Sequence, residues 1–195
     1  MIHEKECGEF ILADGVESYR KFLAGDKYGI QELVEQFRDG LILYINTFVG
    51  DINESEDLAE DVFVELIIKK PHFKGQSSFK TWLYSIARHK AMNFIKRNSR
   101  TSCISDEVLS TITGVQDFEK DYLSEQKKII LNNAMRQLKE EYRQVLHLSF
   151  LEEFTNDEIA RITKKTKRQI ENLLYRSKLS LRKELEKEGF DNEEL

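Results

Sequence analysis

An all-α protein of two small helical domains is predicted from three features of the chain. One proline and nine glycines in 195 residues leave long stretches without a breaker. Leu, Ile, Glu and Lys fill those stretches, as strong helix formers do. Apolar residues recur at spacings of three and four, and strand-like alternation is nowhere sustained. With 40% hydrophobic residues, a chain of this length can bury a core in one domain or in two.

The elements follow in order. A short helix holds Val16, Tyr19, Phe22 and Leu23. From Lys27 to Phe48, Ile30, Leu33, Val34, Phe37, Leu41, Ile42, Ile45 and Phe48 form one stripe. The next helix opens near Asn53, whose side chain can accept an N-terminal amide while Glu56 reaches back, and Pro71 ends it. Its apolar face is Leu58, Val62, Leu66 and Ile67; Phe63 falls off that stripe. Lys74 to Ser78 reads as a loop, and Trp82, Leu83, Ile86, Ala87, Met92 and Ile95 mark a fourth helix reaching about Arg97. These four helices make a first domain over 1–98.

Residues 99–116 are rich in Ser and Thr, lack a period and turn acidic after Asp106, as a flexible linker would. A second domain spans 117–195. Its pattern runs through Leu131, Met135 and Leu138, breaks around Lys139, and resumes through Tyr142, Val145, Leu146 and Phe150. Thr155 with Glu158 and Thr166 with Gln169 are capping-box pairs, so each starts a helix. A helix of about seven residues, a four-residue turn and a longer helix is the spacing of a helix-turn-helix.

The formal net charge of -5 averages over opposed segments. Between Pro71 and Ser105 lie Lys74, Lys80, Arg88, Lys90, Lys96, Arg97 and Arg100 with no Asp or Glu, interleaved with Phe73, Phe79, Trp82, Tyr84 and Phe94. From Asp51 to Ile68 the balance inverts, with no Lys or Arg. An acidic total therefore does not exclude a nucleic-acid surface. No apolar run approaches the roughly 20 residues of a bilayer span, and the first residues lack the order of a secretion signal, so a cytoplasmic protein is expected with no membrane insertion. Cys7 and Cys103 are isolated, and His3, His72, His89 and His147 are scattered. Without ligand spacing, a nucleophile elbow or a glycine-rich phosphate loop, no catalytic residue, metal or cofactor is expected, and the chain is not read as an enzyme.

Each charged segment has two readings. The basic segment is either a solvated helix packed by its aromatics or a surface for an opened strand. Phe73 and Phe79, in and beside a glycine-containing loop, favour the second, because rings beside cations stack on unpaired bases at about 1–3 kcal/mol each. Trp82 is a packing support. The acidic helix is either a solvated face or, with Phe63 exposed among Asp57, Glu60, Asp61 and Glu65, a docking face for a basic protein partner. Arg161, Lys164, Lys165, Lys167 and Arg168 around the turn belong either to an ordinary helical hairpin or to a helix entering the major groove, with Gln169 and Asn172 toward base edges.

Together these segments resemble the extracytoplasmic-function group of bacterial sigma factors, the RNA polymerase subunits that find and open promoters. Glu56-Asp-Leu-Ala-Glu-Asp-Val-Phe63 looks like that group's polymerase-binding helix. The run from Phe73 to Arg88 (FKGQSSFKTWLYSIAR) looks like its melting and minus-ten recognition segment, and Leu138 to Leu146 with Asp157-Glu-Ile-Ala160 resembles the opening of its minus-thirty-five domain. The likeness covers about residues 20–97 and 117–188. It departs from the family at Glu60, often Gln; at His89, commonly Asn; at Lys164, usually Gly; at Lys165, usually apolar; and at Glu171 and Leu173, often basic. A non-glycine residue in a left-handed turn costs about 1–2 kcal/mol, and Lys165 can lay its stem over the core while its ammonium faces outward.

By that likeness the partners are core RNA polymerase and promoter DNA, both duplex and melted, with an anti-sigma factor as a further candidate partner. The linker would thread toward the RNA exit path. Polymerase binding falls to Asp57, Glu60, Asp61, Phe63 and Glu65; the melted minus-ten strand to Phe73, Lys74, Phe79, Lys80, Arg88, His89, Lys90 and Asn93; the minus-thirty-five duplex to Lys164, Lys165, Thr166, Lys167, Arg168, Gln169, Asn172 and Arg176. The rival readings are a stand-alone helix-turn-helix regulator and an interaction module that binds no DNA.

Overall fold

A computed structural model describes residues 15–101 and 122–188, which form helices and no strand. Cys7, Cys103, His3 and the acidic part of the linker lie outside the described residues. The first unit comprises α1 (Val16–Leu23), α2 (Tyr28–Val49), α3 (Ile52–Lys69) and α4 (Phe79–Thr101). The second comprises α5 (Tyr122–Arg136), α6 (Glu140–Leu146), a π-helical turn (His147–Leu151), α7 (Asn156–Thr163) and α8 (Lys167–Lys187).

The long stripe of α2 is the centre of the first unit. Leu33, Phe37, Leu41, Ile42, Ile45 and Phe48 are all buried, and α1, α3 and α4 pack around them. At the α1–α2 crossing, a Cβ on Gly29 would run into the backbone of Ser18 and Phe22, so the two helices approach as closely as they do only because that position is glycine. Helix α3 starts two residues earlier than the sequence suggests. Asp51, not Asn53, is the N-cap, its carboxylate accepting from Asn53 N (2.9 Å) and Glu54 N (3.2 Å); a carboxylate also favours the positive end of the helix dipole. Lys70 closes α3 in a left-handed conformation just before Pro71.

Two burial assignments on α3 change. Phe63 is buried at 5% exposure and belongs to the core, whereas Ile67 is 44% exposed. The helix buries a wider arc than its three-residue stripe defines, because α2 and α4 both pack on it. Leu23, Met92, Leu131 and Phe150 are likewise exposed although their spacing suits a core face. Helix α4 begins at Phe79 and runs to Thr101, past the expected end near Arg97, so residues 99–101 are helical rather than linker.

In the second unit both capping boxes are present. Thr155 accepts from Glu158 N, and Thr166 accepts from Gln169 N, with the reciprocal bonds from Glu158 and Gln169 also formed. The break near Lys139 separates α5 from α6. The turn of the helix-turn-helix is held by Lys165 N donating to Ala160 O at 3.0 Å, with Lys164 left-handed at φ 57°. Lys164 thus takes the left-handed position itself, with lysine where glycine costs nothing. Lys164→Gly is expected to stabilise the protein by about 1 kcal/mol, read as an increased urea midpoint with an unchanged m-value; a lower midpoint would mean the lysine side chain outweighs its backbone cost.

The cores of the two units meet. Val145, Leu148, Phe154, Ile159, Ile162, Ile170 and Leu174 join one hydrophobic cluster with the first unit's residues. Tyr84 meets Phe154 edge-on at 5.0 Å, and Tyr44 lies 5.8 Å from the His147 ring.

Candidate nucleic-acid interface

The α8 start is the most open of the three candidate surfaces. Lys164, Thr166, Lys167, Arg168, Gln169, Asn172 and Arg176 are all exposed. Two of these side chains are already engaged: Lys167 Nζ pairs with Asp157 at 2.7 Å, and Gln169 Oε1 accepts from Thr166 N at 2.8 Å within the capping box. Exposed pairs of this kind contribute at most about 1 kcal/mol, so a phosphate can displace Asp157. Lys165 does lie half-buried with its ammonium outward, 3.1 Å from Glu141. Gln169, Asn172, Arg176 and Lys165 line a groove of about 300 Å³ whose other wall carries Glu141 and Tyr142.

On α4 the expected strand-binding set divides. Lys74, His89 and Asn93 are exposed, and Asn93 Nδ2 lies 3.2 Å from a His89 ring nitrogen. Arg88 is half-buried. Phe79 is fully buried, with its ring 5.3 Å from Tyr19, 6.1 Å from Phe37, 5.6 Å from Phe73 and 5.3 Å from Trp82. This corrects the expectation that its ring offers a stacking surface for unpaired bases: as the first residue of α4, its ring points down into the aromatic cluster that seats α4 on α1 and α2. Phe73 is half-buried on the same cluster, and Trp82 is the packing support it was expected to be. The base-stacking role assigned to Phe79 has no exposed ring to rest on.

The acidic face of α3 keeps Asp57, Glu60 and Asp61 exposed. Phe63, expected among them as an exposed aromatic, is instead in the core, so this face carries carboxylates and no aromatic from α3's Phe63. Glu65 is drawn away from it. Its carboxylate takes Lys90 at 3.0 Å and Lys69 at 3.2 Å, and these bonds hold its pKa below the usual range. Acidic and basic segments that look opposed in the sequence thus share one edge, a groove of about 570 Å³ between α3 and α4 that includes Asp61, Glu65, His89, Lys90, Asn93 and Arg97. Helix adjacency, which the linear charge pattern does not carry, brings them together.

The residues that sequence reasoning missed are Glu152 and Glu158. Glu152 Oε2 lies 2.9 Å from Lys80 Nζ, and its side chain is only 11% exposed. Burial pushes this carboxyl up, but the His147 ring 3.5 Å away, Tyr84 and Lys80 outweigh it and bring the pKa to about 2. Glu158 Oε1 accepts from Ser78 Oγ (3.1 Å) and Thr81 Oγ1 (3.0 Å). Neither residue stands in a motif of its own; Glu158 is legible only as a cap.

Sequence comparison matches residues 33–101 to Sigma-70 region 2 and residues 128–181 to Sigma-70 region 4. The chain is 30% identical over 162 residues to RNA polymerase sigma factor YlaC of Bacillus subtilis, covering 81% of this chain and 92% of that one. It is 24% identical over 186 residues to ECF RNA polymerase sigma factor SigW of the same organism, covering 91% and 98%. Among solved structures it resembles the sigma factor RpoE of Bartonella quintana, solved with the anti-sigma factor NepR, at TM-score 0.65 and 18% identity over 80% of this chain and 96% of that one. It also resembles CnrH, solved with the cytosolic domain of CnrY, at TM-score 0.64 and 15% identity over 89% and 97%. Region 2 falls on the first helical unit and region 4 on the second.

Proposed function

Because this chain belongs to the extracytoplasmic-function sigma factors of bacterial RNA polymerase, we propose that it binds core polymerase through α3, holds a melted promoter strand along α4 and docks on duplex DNA through α8. The observation that carries the reading is the exposed cluster of cations and amides from Lys164 to Arg176, set behind a tight turn on a helix whose other face is core. Phosphates meeting Lys164, Lys167 and Arg168 would fix register, and Gln169 and Asn172 would read base edges. Around α4, Lys74, His89 and Asn93 are the groups open to a strand, with half-buried Arg88 beside them and Lys80 and Lys90 joining once released from Glu152 and Glu65.

The chain performs no bond chemistry in this reading. Captured bases and polymerase contacts offset the unstacking of promoter DNA, so opening needs no nucleotide hydrolysis. It acts with polymerase in the cytoplasm. Among the described residues, no helix is long and apolar enough to cross a membrane. Transcription by purified core polymerase on a genomic library, with and without the chain, tests the whole reading: new start sites that appear only with the chain are expected, and their absence would favour a stand-alone regulator.

The polymerase face has its own test. Asp57, Glu60 and Asp61 are exposed and have no resolved role in the core, so replacing all three by Lys is expected to weaken core polymerase binding at least tenfold while far-UV circular dichroism stays unchanged. Unchanged affinity would mean that this face is merely solvated.

A further inference from the structure

One carboxylate stands on the otherwise cationic start of α8. Lys164, Lys167 and Arg168 precede it, Arg176 follows, and Glu171 is exposed among them, next in sequence to Asn172. The fold makes little use of it. Among the described residues Glu171 takes no hydrogen bond or close ion pair; its one interaction is with the charge of Lys167, four residues earlier, which already holds Asp157 at 2.7 Å. Asp157, and more weakly Glu171, keep that ammonium protonated above the usual lysine range. Lysine before glutamate is the less favourable order for a helix pair, and the fifth residue of α8 lies past the first turn, in which the helix dipole favours an anion. Neither pairing nor capping accounts for this side chain. Ile170 and Leu174 are buried while Arg168, Asn172 and Tyr175 are exposed, and Glu171 borders that exposed face on the side where Lys167 meets α7.

In a duplex held by this helix, a carboxylate is repelled by the phosphates whatever the sequence, and gains only where a base edge offers it a donor. Carboxylates accept hydrogen bonds and donate none. In the major groove guanine N7 and O6 and thymine O4 are acceptors too, and adenine sets its N6 amino group beside the N7 acceptor, whereas cytosine presents its N4 amino group alone. We propose that Glu171 is a specificity-determining residue: it accepts from a cytosine N4 and so selects C at one position of the duplex site, an assignment that rests on the docking of α8 proposed above. The amide of the same shape has a different match. Glutamine carries one acceptor and one donor, which fit N6 and N7 of adenine, so Glu171→Gln should move the preference at that position from C to A.

Selection of randomised duplexes by the full-length parent, Glu171→Ala and Glu171→Gln tests this. Affinities for the selected duplex and its three substitutions at the affected pair are then read by fluorescence anisotropy across a salt series. The parent is expected to select C at one position, Glu171→Ala to lower that preference about tenfold with the other positions unchanged, and Glu171→Gln to favour A there. Far-UV circular dichroism and the log-salt slope should match the parent's, because a carboxylate neutralises no phosphate. A shifted slope with an unchanged preference would make Glu171 a screen for Lys167 and overturn the proposal. Loss of preference at every position, which a structural role would give, overturns it as well. If the parent selects a sequence and both variants select the same one, Glu171 alone loses its role and the docking of α8 stands. A parent that selects no sequence sinks the docking reading, and this proposal with it.

Discussion

Phe79→Ala is expected to destabilise the first domain by about 3–5 kcal/mol, the cost of deleting a fully buried phenyl ring from a packed core. That is a large share of the 5–15 kcal/mol that holds an ordinary domain folded. The ring is ringed by Tyr19, Phe37, Phe73 and Trp82, and Gly15 also packs tightly on it, since a Cβ there would come within 2.7 Å of the phenyl edge. Trp82, the chain's one tryptophan, sits 5.3 Å away and reports the event directly. Urea unfolding followed by its fluorescence should show a lowered midpoint, with near-parent fluorescence in the folded baseline only if the cavity stays empty. A variant of parental stability that fails only in promoter opening would restore Phe79 to the strand-binding surface and refute its structural role.

Replacing Lys164, Lys167 and Arg168 together by Ala is expected to flatten the salt dependence of duplex binding by nearly three units of log slope, at about 0.9 for each phosphate no longer neutralised. At low salt this is the largest loss of DNA affinity any trio on the surface should give, because these side chains are exposed on one turn and helix start. Sequence preference should survive, since phosphate contacts position the protein without reading bases. Gln169→Ala or Asn172→Ala should do the reverse, relaxing preference at one or two base pairs by about 1–3 kcal/mol. Filter binding or anisotropy across a salt series separates the two. An unchanged slope in the triple variant would show that α8 does not dock by its first turn.

Much of the local structure was legible because it depends on near neighbours. The α2 stripe, the two capping boxes, the stop at Pro71 and the left-handed Lys164 follow from side-chain period, hydroxyl chemistry and backbone sterics within a few residues. Where the sequence misled, the deciding contact was distant. Phe63 looks surplus on an isolated α3, whose own stripe is complete without it, and becomes core only because α2 and α4 enclose a wider arc. Phe79 looks exposed beside a loop, and is buried because α4 begins at that residue with its first ring aimed at α1.

The sequence by itself determined the helical class, the two units and the family, because periodicity, caps and motif residues are properties of contiguous segments. It also determined the basic start of α8, where exposure follows directly from the amphipathic period. Only the tertiary structure decided which charges remain open. Lys80 and Lys90 count as free cations in a linear reading, yet Glu152 lies 72 residues from Lys80 and Glu65 sits on the opposite helix of a shared groove. Charge partners at such separations are chosen by how helices pack, and packing is the sum of many weak contacts that no local pattern encodes.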